Sequence, residues 1–338
     1  MPAEWEPHAA TWLTWPHNLD SWPGAFESIP AVWVKLVAAL TPGEDVHILV
    51  DDAAAEAEVR VLLDTAAVSQ HRTRLHRIPS NDAWARDHGP TFVVRDDKER
   101  TQLAAVHWNF NAWGGKYPPW NHDAEIAGRV AALVEVPVFK PNMILEGGSI
   151  DVNGRGALLT TESCLLNKNR NPDLPREQIE EVLRNYLGVS KILWLADGIV
   201  GDDTDGHIDD LARFVDPTTV VTVVEDDPTD ANYEVLRDNY DRLQTMTDQD
   251  GQRLRIVKLP MPRPQLHDDH RMPASYANFY IANSVVVTPT FDDPADSVAL
   301  ETLQQLFRQR RVVGIYAKDL VWGLGAFHCI TQQQPAGR

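Results

Sequence analysis

Asp203-Thr-Asp-Gly-His-Ile-Asp209 is a turn-rich acidic stretch that ends in a histidine and a second carboxylate. Three other short stretches carry comparable chemistry at regular distances from it. Glu146-Gly-Gly-Ser149 places a carboxylate 61 residues before His207, and Trp84-Ala-Arg-Asp87 places another 59 residues earlier still. In His328-Cys329, the cysteine follows His207 by 122 residues, twice 61. An interval of about 60 residues, once doubled, implies about five repeats of a strand-rich unit, each offering a loop to a shared centre. The repeats share no visible sequence, so spacing is the whole of this signal.

The segments between these loops fit such units. Strands are expected at 46–50, 92–95, 103–108, 157–161, 192–195, 220–224, 284–288 and 312–316, where short apolar, β-branched runs stand. Helices are expected at 51–63, 123–134, 175–187, 233–246 and 295–307; the third has Pro175 at its start and Gly188 at its end. Alternation of this kind is an α/β pattern, and no linker or low-complexity tract interrupts it.

Composition narrows the function. Against 31 Lys and Arg stand 49 Asp and Glu, a net charge of −18 in 338 residues. Nucleic acid and anionic membrane both demand basic surface, so neither is an expected partner. A cationic ligand suits the charge better. No run approaches 18 apolar residues, and the N-terminus has neither a basic nor an apolar leader, so the expectation is a soluble, cytoplasmic protein. Two cysteines, Cys164 and Cys329, cannot supply a disulfide framework.

Each candidate residue has a plainer alternative. Cys329 follows the glycine turn Gly323-Leu-Gly325, and a thiol of lowered pKa is a strong nucleophile; a buried cysteine is more often a small hydrophobe. Cys164, flanked by Leu165 and Leu166, reads as that core type. His207 and Asp209, two apart, share a face if the segment is a strand, giving an acid–base group and a carboxylate for a cation. Arg86 reads as an ion-pair partner of Asp82 or Asp87. Tryptophans Trp5, Trp12, Trp15, Trp22 and Trp33 either line a pocket for a cation or pack the core. His267-Asp-Asp-His270 offers metal ligands, but no HExxH, CxxC or EF-hand spacing is present, so no metal or organic cofactor is expected.

One chemistry uses these parts together. A guanidinium is planar, and paired carboxylates fork onto its nitrogens. Thiolate attack on its carbon, loss of ammonia and attack by water require a cysteine, a histidine and acids. A cysteine protease has no use for several carboxylates aimed at one point.

The motifs Asp82-Ala-Trp-Ala-Arg-Asp-His-Gly-Pro90, Asn109-Phe-Asn-Ala-Trp-Gly-Gly115, Glu146-Gly-Gly-Ser-Ile150, Leu158-Leu-Thr-Thr-Glu-Ser-Cys-Leu-Leu-Asn167 and Asp203 to Asp209 resemble the agmatine deiminase family. Ser275-Tyr-Ala-Asn-Phe-Tyr-Ile-Ala-Asn283 and His328-Cys-Ile-Thr-Gln-Gln-Gln334 extend the likeness nearly end to end, which implies one domain over 1–338. That family is grouped with bacterial peptidylarginine deiminases among guanidine-modifying enzymes. The resemblance implies a five-bladed α/β-propeller (pentein) of ββαβ-type repeats around a central site. It implies hydrolysis of agmatine to N-carbamoylputrescine and ammonia, in putrescine biosynthesis, through a covalent cysteine thiouronium and without a cofactor.

By the same likeness Cys329 is the nucleophile, His207 the general acid and base, Asp87 and Asp209 the guanidinium clamps, and Glu146 the acid beside the histidine. Trp84 is a pocket wall, and Asp203 lies near the far amine of agmatine. Two positions depart from the family pattern: Gly323-Leu-Gly-Ala-Phe327 replaces a Gly-Gly-Gly-Asn run, and Asp210 stands where Asn is frequent. The rival readings are a deiminase of free or peptidyl arginine, an amidinotransferase, and a catalytically silent binding protein for polyamine-like cations. A homo-oligomer is compatible with all of them.

Overall fold

Five sheets with one connectivity organise the computed structural model, which describes residues 1–96 and 101–337. In four of them a first strand pairs antiparallel with a second, a helix follows, and a third strand returns parallel to the second. These are Thr91–Asp96, Thr101–Val106 and Val138–Phe139; Asp151–Val152, Ala157–Thr161 and Lys191–Leu195; Ala212–Asp216, Thr219–Val224 and Arg255–Pro260; and Tyr280–Ile281, Val285–Thr290 and Arg311–Tyr316. The remaining sheet draws its antiparallel strand from the far end of the chain: Gln332–Pro335 pairs with His8–Thr14, followed in parallel by Asp45–Val50 and Thr73–Arg77. Both chain ends are thereby tied into one unit.

The expected helices form close to their expected bounds, as Ala53–Thr65, Asp123–Leu133, Arg176–Leu187, Tyr233–Thr245 and Ala295–Leu306. Local chemistry sets their ends. Asp52 caps the first by accepting from the backbone N–H groups of Ala54 and Ala55, 2.8 and 2.9 Å away. Helical spacing then sends Ile179, Leu183 and Leu187 of the third into the core. One further helix, Ile29–Leu40, buries Trp33, Leu36 and Leu40, and Trp22 packs on Trp33 edge to face. The early tryptophans Trp12, Trp15, Trp22 and Trp33 are therefore core.

Glu4 pins several of these units together. Its Oε1 accepts from the Ile281 N–H at 2.8 Å and pairs with Arg213 at 2.9 Å. Its Oε2 takes Arg86 at 3.1 Å and His328 Nε2 at 3.0 Å. Arg86, expected to pair with Asp82 or Asp87, pairs with Glu4 instead and also donates to Gln333 Oε1. Burial alone would raise the Glu4 pKa; Arg213, His328 and Arg86 outweigh it and hold the group well below its ordinary 4.5.

Replacing Glu4 by Gln leaves two buried guanidinium groups short of a countercharge, and should cost about 3–5 kcal/mol at pH 7. Because the folded pKa lies below the unfolded one, this contribution is complete above about pH 4.5 and is lost as pH falls through the folded value. Denaturant unfolding of wild type and Glu4→Gln at pH 7 and in progressively stronger acid should show the gap closing below that point. Equal stability at pH 7 would contradict the role given to Glu4.

Candidate active site

Every one of the five sheets delivers polar side chains from the residues just ahead of its first strand. Asp87 lies in the short helix Ala85–His88 ahead of Thr91, and Glu146 caps the turn Gly147–Ser149 ahead of Asp151. His207 and Asp209 precede Ala212, and Cys329 precedes Gln332. The fifth contribution is Asn278, ahead of Tyr280, and it divides the doubled interval between His207 and Cys329. The sequence reading gave Asn278 no role; the missing landmark in a doubled interval was the signal for it. His207-Ile-Asp209 is not a strand: Ile208–Asp210 forms one 3₁₀ turn, and Asp202 Oδ2 accepts from the His207 N–H at 3.0 Å to hold it.

Gly148 marks where these groups converge. A methyl placed on it would lie 2.6 Å from His207 Nδ1 and 3.0 Å from both Asp209 Oδ2 and Asp87 Oδ1. Only a residue without a side chain leaves that space free. Asp87 is fixed on both oxygens, Oδ1 by the Gly148 N–H and Oδ2 by the Trp113 indole, each at 2.9 Å. That indole is delivered by a strained turn in which Ala112, Trp113, Gly114 and Gly115 all have positive φ, an arrangement found where a site demands it. Asp209 Oδ2 accepts from His328 Nδ1 at 2.6 Å and lies 3.6 Å from Cys329 Sγ.

The sulfur has one further neighbour of consequence. Asn278 Nδ2 lies 3.0 Å from Cys329 Sγ and 2.9 Å from Asp210 Oδ1, while its Oδ1 accepts from the His328 N–H at 2.9 Å. Burial, followed by Asp209, Asp210 and Asp87, pushes the Cys329 thiol well above its ordinary value; the Asn278 N–H works against that rise. For His207, burial opposes the charged form, yet Asp87, Cys164 and Asp209 outweigh it and hold the imidazolium well above 6.5. Asp210, at this departure from the family pattern, is pushed well up by burial and by Asp209 and Asp202.

Glu146 and His207 stand 4.0 Å apart, Oε2 to Nε2, and Glu146 Oε1 is held by Arg170 Nε at 2.8 Å. Arg170 was absent from the sequence reading; it continues to Asp205, and Lys116 joins Asp205 to Asp203. Asp203 sits at the end of this chain of charges, its side chain 40% exposed, with Lys116 and the Tyr117 hydroxyl on its carboxylate. Among the described residues, that chain of charges links it to the buried cluster. Trp84 is buried beside the sulfur: a methyl on Gly325 would meet its ring at 2.5 Å and Cys329 Cβ at 3.1 Å, so the close approach needs glycine there. Cys164 is fully buried, as expected of a core residue, but its thiol is grouped with Glu146 and His207. His267 and His270 sit on a separate two-stranded hairpin and are not grouped with these residues.

Such a centre can hold a planar cation between two fixed carboxylates, with a thiol and an imidazolium on it. Among the described residues, Asp209 Oδ1, Glu146 Oε2 and both ring nitrogens of His207 are buried without a hydrogen-bond partner. Buried polar groups are almost always satisfied, so an unpaired set of this kind marks a ligand site.

A profile of the Porphyromonas-type peptidyl-arginine deiminase family matches residues 1–335. The agmatine deiminase of Pseudomonas syringae pv. tomato is 41% identical, over 99% of this chain and 95% of its own. Among solved structures, the agmatine deiminase of Enterococcus faecalis superposes with a TM-score of 0.93 at 35% identity, covering 99% of this chain and 95% of that one. A C. jejuni agmatine deiminase with substrate bound gives 0.89 at 28% identity, covering 100% and 96%.

Asn278→Ala removes a donor to the sulfur, and a hydrogen bond to a charged group contributes about 1.5–3 kcal/mol. The pH midpoint for alkylation of Cys329 by iodoacetamide, followed by peptide mass so that Cys164 is read separately, should rise by roughly one unit or more. An unchanged or lower midpoint would show that the contact does not act on the thiolate.

Proposed function

This chain belongs to the Porphyromonas-type peptidyl-arginine deiminase family, and from that premise we propose that it hydrolyses agmatine to N-carbamoylputrescine and ammonia. The observation that carries the reading is the convergence at Gly148: two carboxylates and an imidazole within 3.0 Å of one point, next to a thiol. Five sheets built on an antiparallel pair followed by a parallel strand, each with polar residues just ahead of its first strand, support five blades of an α/β-propeller, with 1–338 as one domain.

In this reading the guanidinium lies between Asp87 and Asp209. Its positive charge offsets the carboxylates that raise the Cys329 thiol, so binding favours loss of the thiol proton. The thiolate attacks the guanidinium carbon, and Asn278 steadies the sulfur. His207, charged at rest, protonates the departing amino nitrogen; the C–N bond breaks and ammonia leaves an alkylthiouronium on Cys329. The now neutral His207 takes a proton from water, whose oxygen adds to the same carbon. Collapse expels the thiolate, which takes up the proton of the added hydroxyl, and leaves a ureido group. Glu146, anchored by Arg170, faces His207 through both changes of charge. Trp84 walls the sulfur, and Asp203, whose carboxylate already pairs with Lys116, stands toward the far ammonium.

Free arginine adds a carboxylate to the same guanidinium. Lys116 is the nearby cation that would meet it, but Asp203 and Asp205 already hold that ammonium. Leaving a carboxylate poorly paired in a largely buried site costs several kcal/mol, enough for at least about 100-fold discrimination. Ammonia and ureido-product assays on agmatine, arginine and an arginine peptide should give kcat/KM for agmatine higher by that margin. Comparable efficiency on arginine or the peptide would overturn the substrate and leave the deiminase chemistry standing. Substrate bound without release of ammonia would overturn both.

A further inference from the structure

Cys164 has no part in the reaction above, yet the fold brings it to the acid–base histidine. Thr161 Oγ1 accepts from the Cys164 N–H and donates to the carbonyl of Gly206, so the turn carrying the thiol is latched to the residue before His207. One ligand atom from each of Glu146, Cys164 and His207 lies within 4.8 Å of the other two, and all three residues are fully buried. Arg170 occupies only Oε1 of Glu146. Its Oε2 and His207 Nε2 stand 4.0 Å apart, and neither has a hydrogen-bond partner among the described residues.

We propose that Glu146, Cys164 and His207 form a binding site for a thiophilic divalent metal ion of the zinc type, and that the bound ion inhibits the enzyme. A carboxylate oxygen, an imidazole nitrogen and a thiolate are a donor set that suits zinc, with a fourth position left for water. Metal–ligand bonds of about 2.0–2.3 Å set tetrahedral ligand atoms roughly 3.3–3.8 Å apart, so separations within 4.8 Å close by at most about 1.5 Å. Binding is an exchange without redox change: the Cys164 S–H bond and one N–H bond of the His207 imidazolium break, sulfur–metal and nitrogen–metal bonds form, and both protons go to solvent. Asp87 and Asp209 add negative charge nearby, and the Arg170 guanidinium subtracts some. Magnesium and calcium, which demand oxygen cages, do not fit a site with a sulfur and a nitrogen.

Inhibition follows because the ion takes a ring nitrogen of His207 and sets positive charge beside the carboxylates that receive the substrate cation. That consequence rests on the role given to His207 under the proposed function; the binding itself does not. The chain has two cysteines, so Cys329→Ala leaves Cys164 as its single thiol. Titrated with Co²⁺, Cys329→Ala should bind one equivalent with a thiolate-to-cobalt charge-transfer absorption, and Cys329→Ala/Cys164→Ser should lack that absorption. Absence of the band from Cys329→Ala, whose Cys164 surroundings are intact, would overturn the site. In the second arm, Zn²⁺ should inhibit ammonia release from agmatine by the wild type, and Mg²⁺ at the same concentration should not. Relative to its own metal-free rate, Cys164→Ser should need at least about tenfold more Zn²⁺ for the same inhibition. Equal zinc sensitivity would overturn the inhibition through Cys164. The band in Cys329→Ala, together with a wild type that releases no ammonia from agmatine, would uphold the site and sink the functional reading instead.

Discussion

Several carboxylates buried around one thiol are the constraint on which the rest of this structure depends. Asp87, Asp209, Asp210 and Glu146 are each almost fully shielded from solvent within one small region. Like charges cannot be collected in a poorly polarisable interior unless cations or protons balance them. The protein uses both. Arg86, Arg213 and His328 meet on Glu4, and His328 reaches Asp209 through its other nitrogen. Arg170 holds Glu146, the carboxylates around His207 favour its charged form, and burial with Asp209 and Asp202 favours the protonated form of Asp210. The negative charge left over suits a guanidinium cation.

The fold meets this demand by repetition. Each sheet begins its first strand a few residues after a loop, and that position is the same in all five units. A rigid strand directly behind each functional group limits its freedom, which is how a site built on loops is kept in register. Gly148 and Gly325 show the same economy in reverse: the chain passes so close to His207 and to Trp84 that any side chain at those points would occupy the site. The positive-φ turn at Ala112–Gly115 stores backbone strain so that the Trp113 indole can fix Asp87.

Much of this was legible from the residues. Helix caps, a Gly stop and β-branched runs located the elements to within a few residues, because those signals are local. The interval of about 60 residues located the loops, and the chemistry of Asp87, Glu146, His207, Asp209 and Cys329 named one ligand class. What stayed hidden was long-range. Gln332–Pro335 carries no apolar signal and becomes a strand only because His8–Thr14 lies beside it. Arg86 looked toward its neighbours Asp82 and Asp87, whereas its partner is Glu4, 82 residues away. The strand expected at His207 is a 3₁₀ turn, since Asp202 and Thr204 compete for the His207 N–H. Cys164 has the apolar flanks of a core cysteine, and nothing local to it reveals the histidine across the turn.

In the proposed reaction, carbon–nitrogen cleavage passes through a bond to Cys329. Protein mass should therefore be read after acid quench, within the first turnovers on saturating agmatine. The account predicts an added mass equal to agmatine less ammonia, confined to the peptide that carries Cys329, with neither adduct nor ammonia from Cys329→Ala. Ammonia release by Cys329→Ala at the wild-type rate, or an adduct on any other residue, would contradict it.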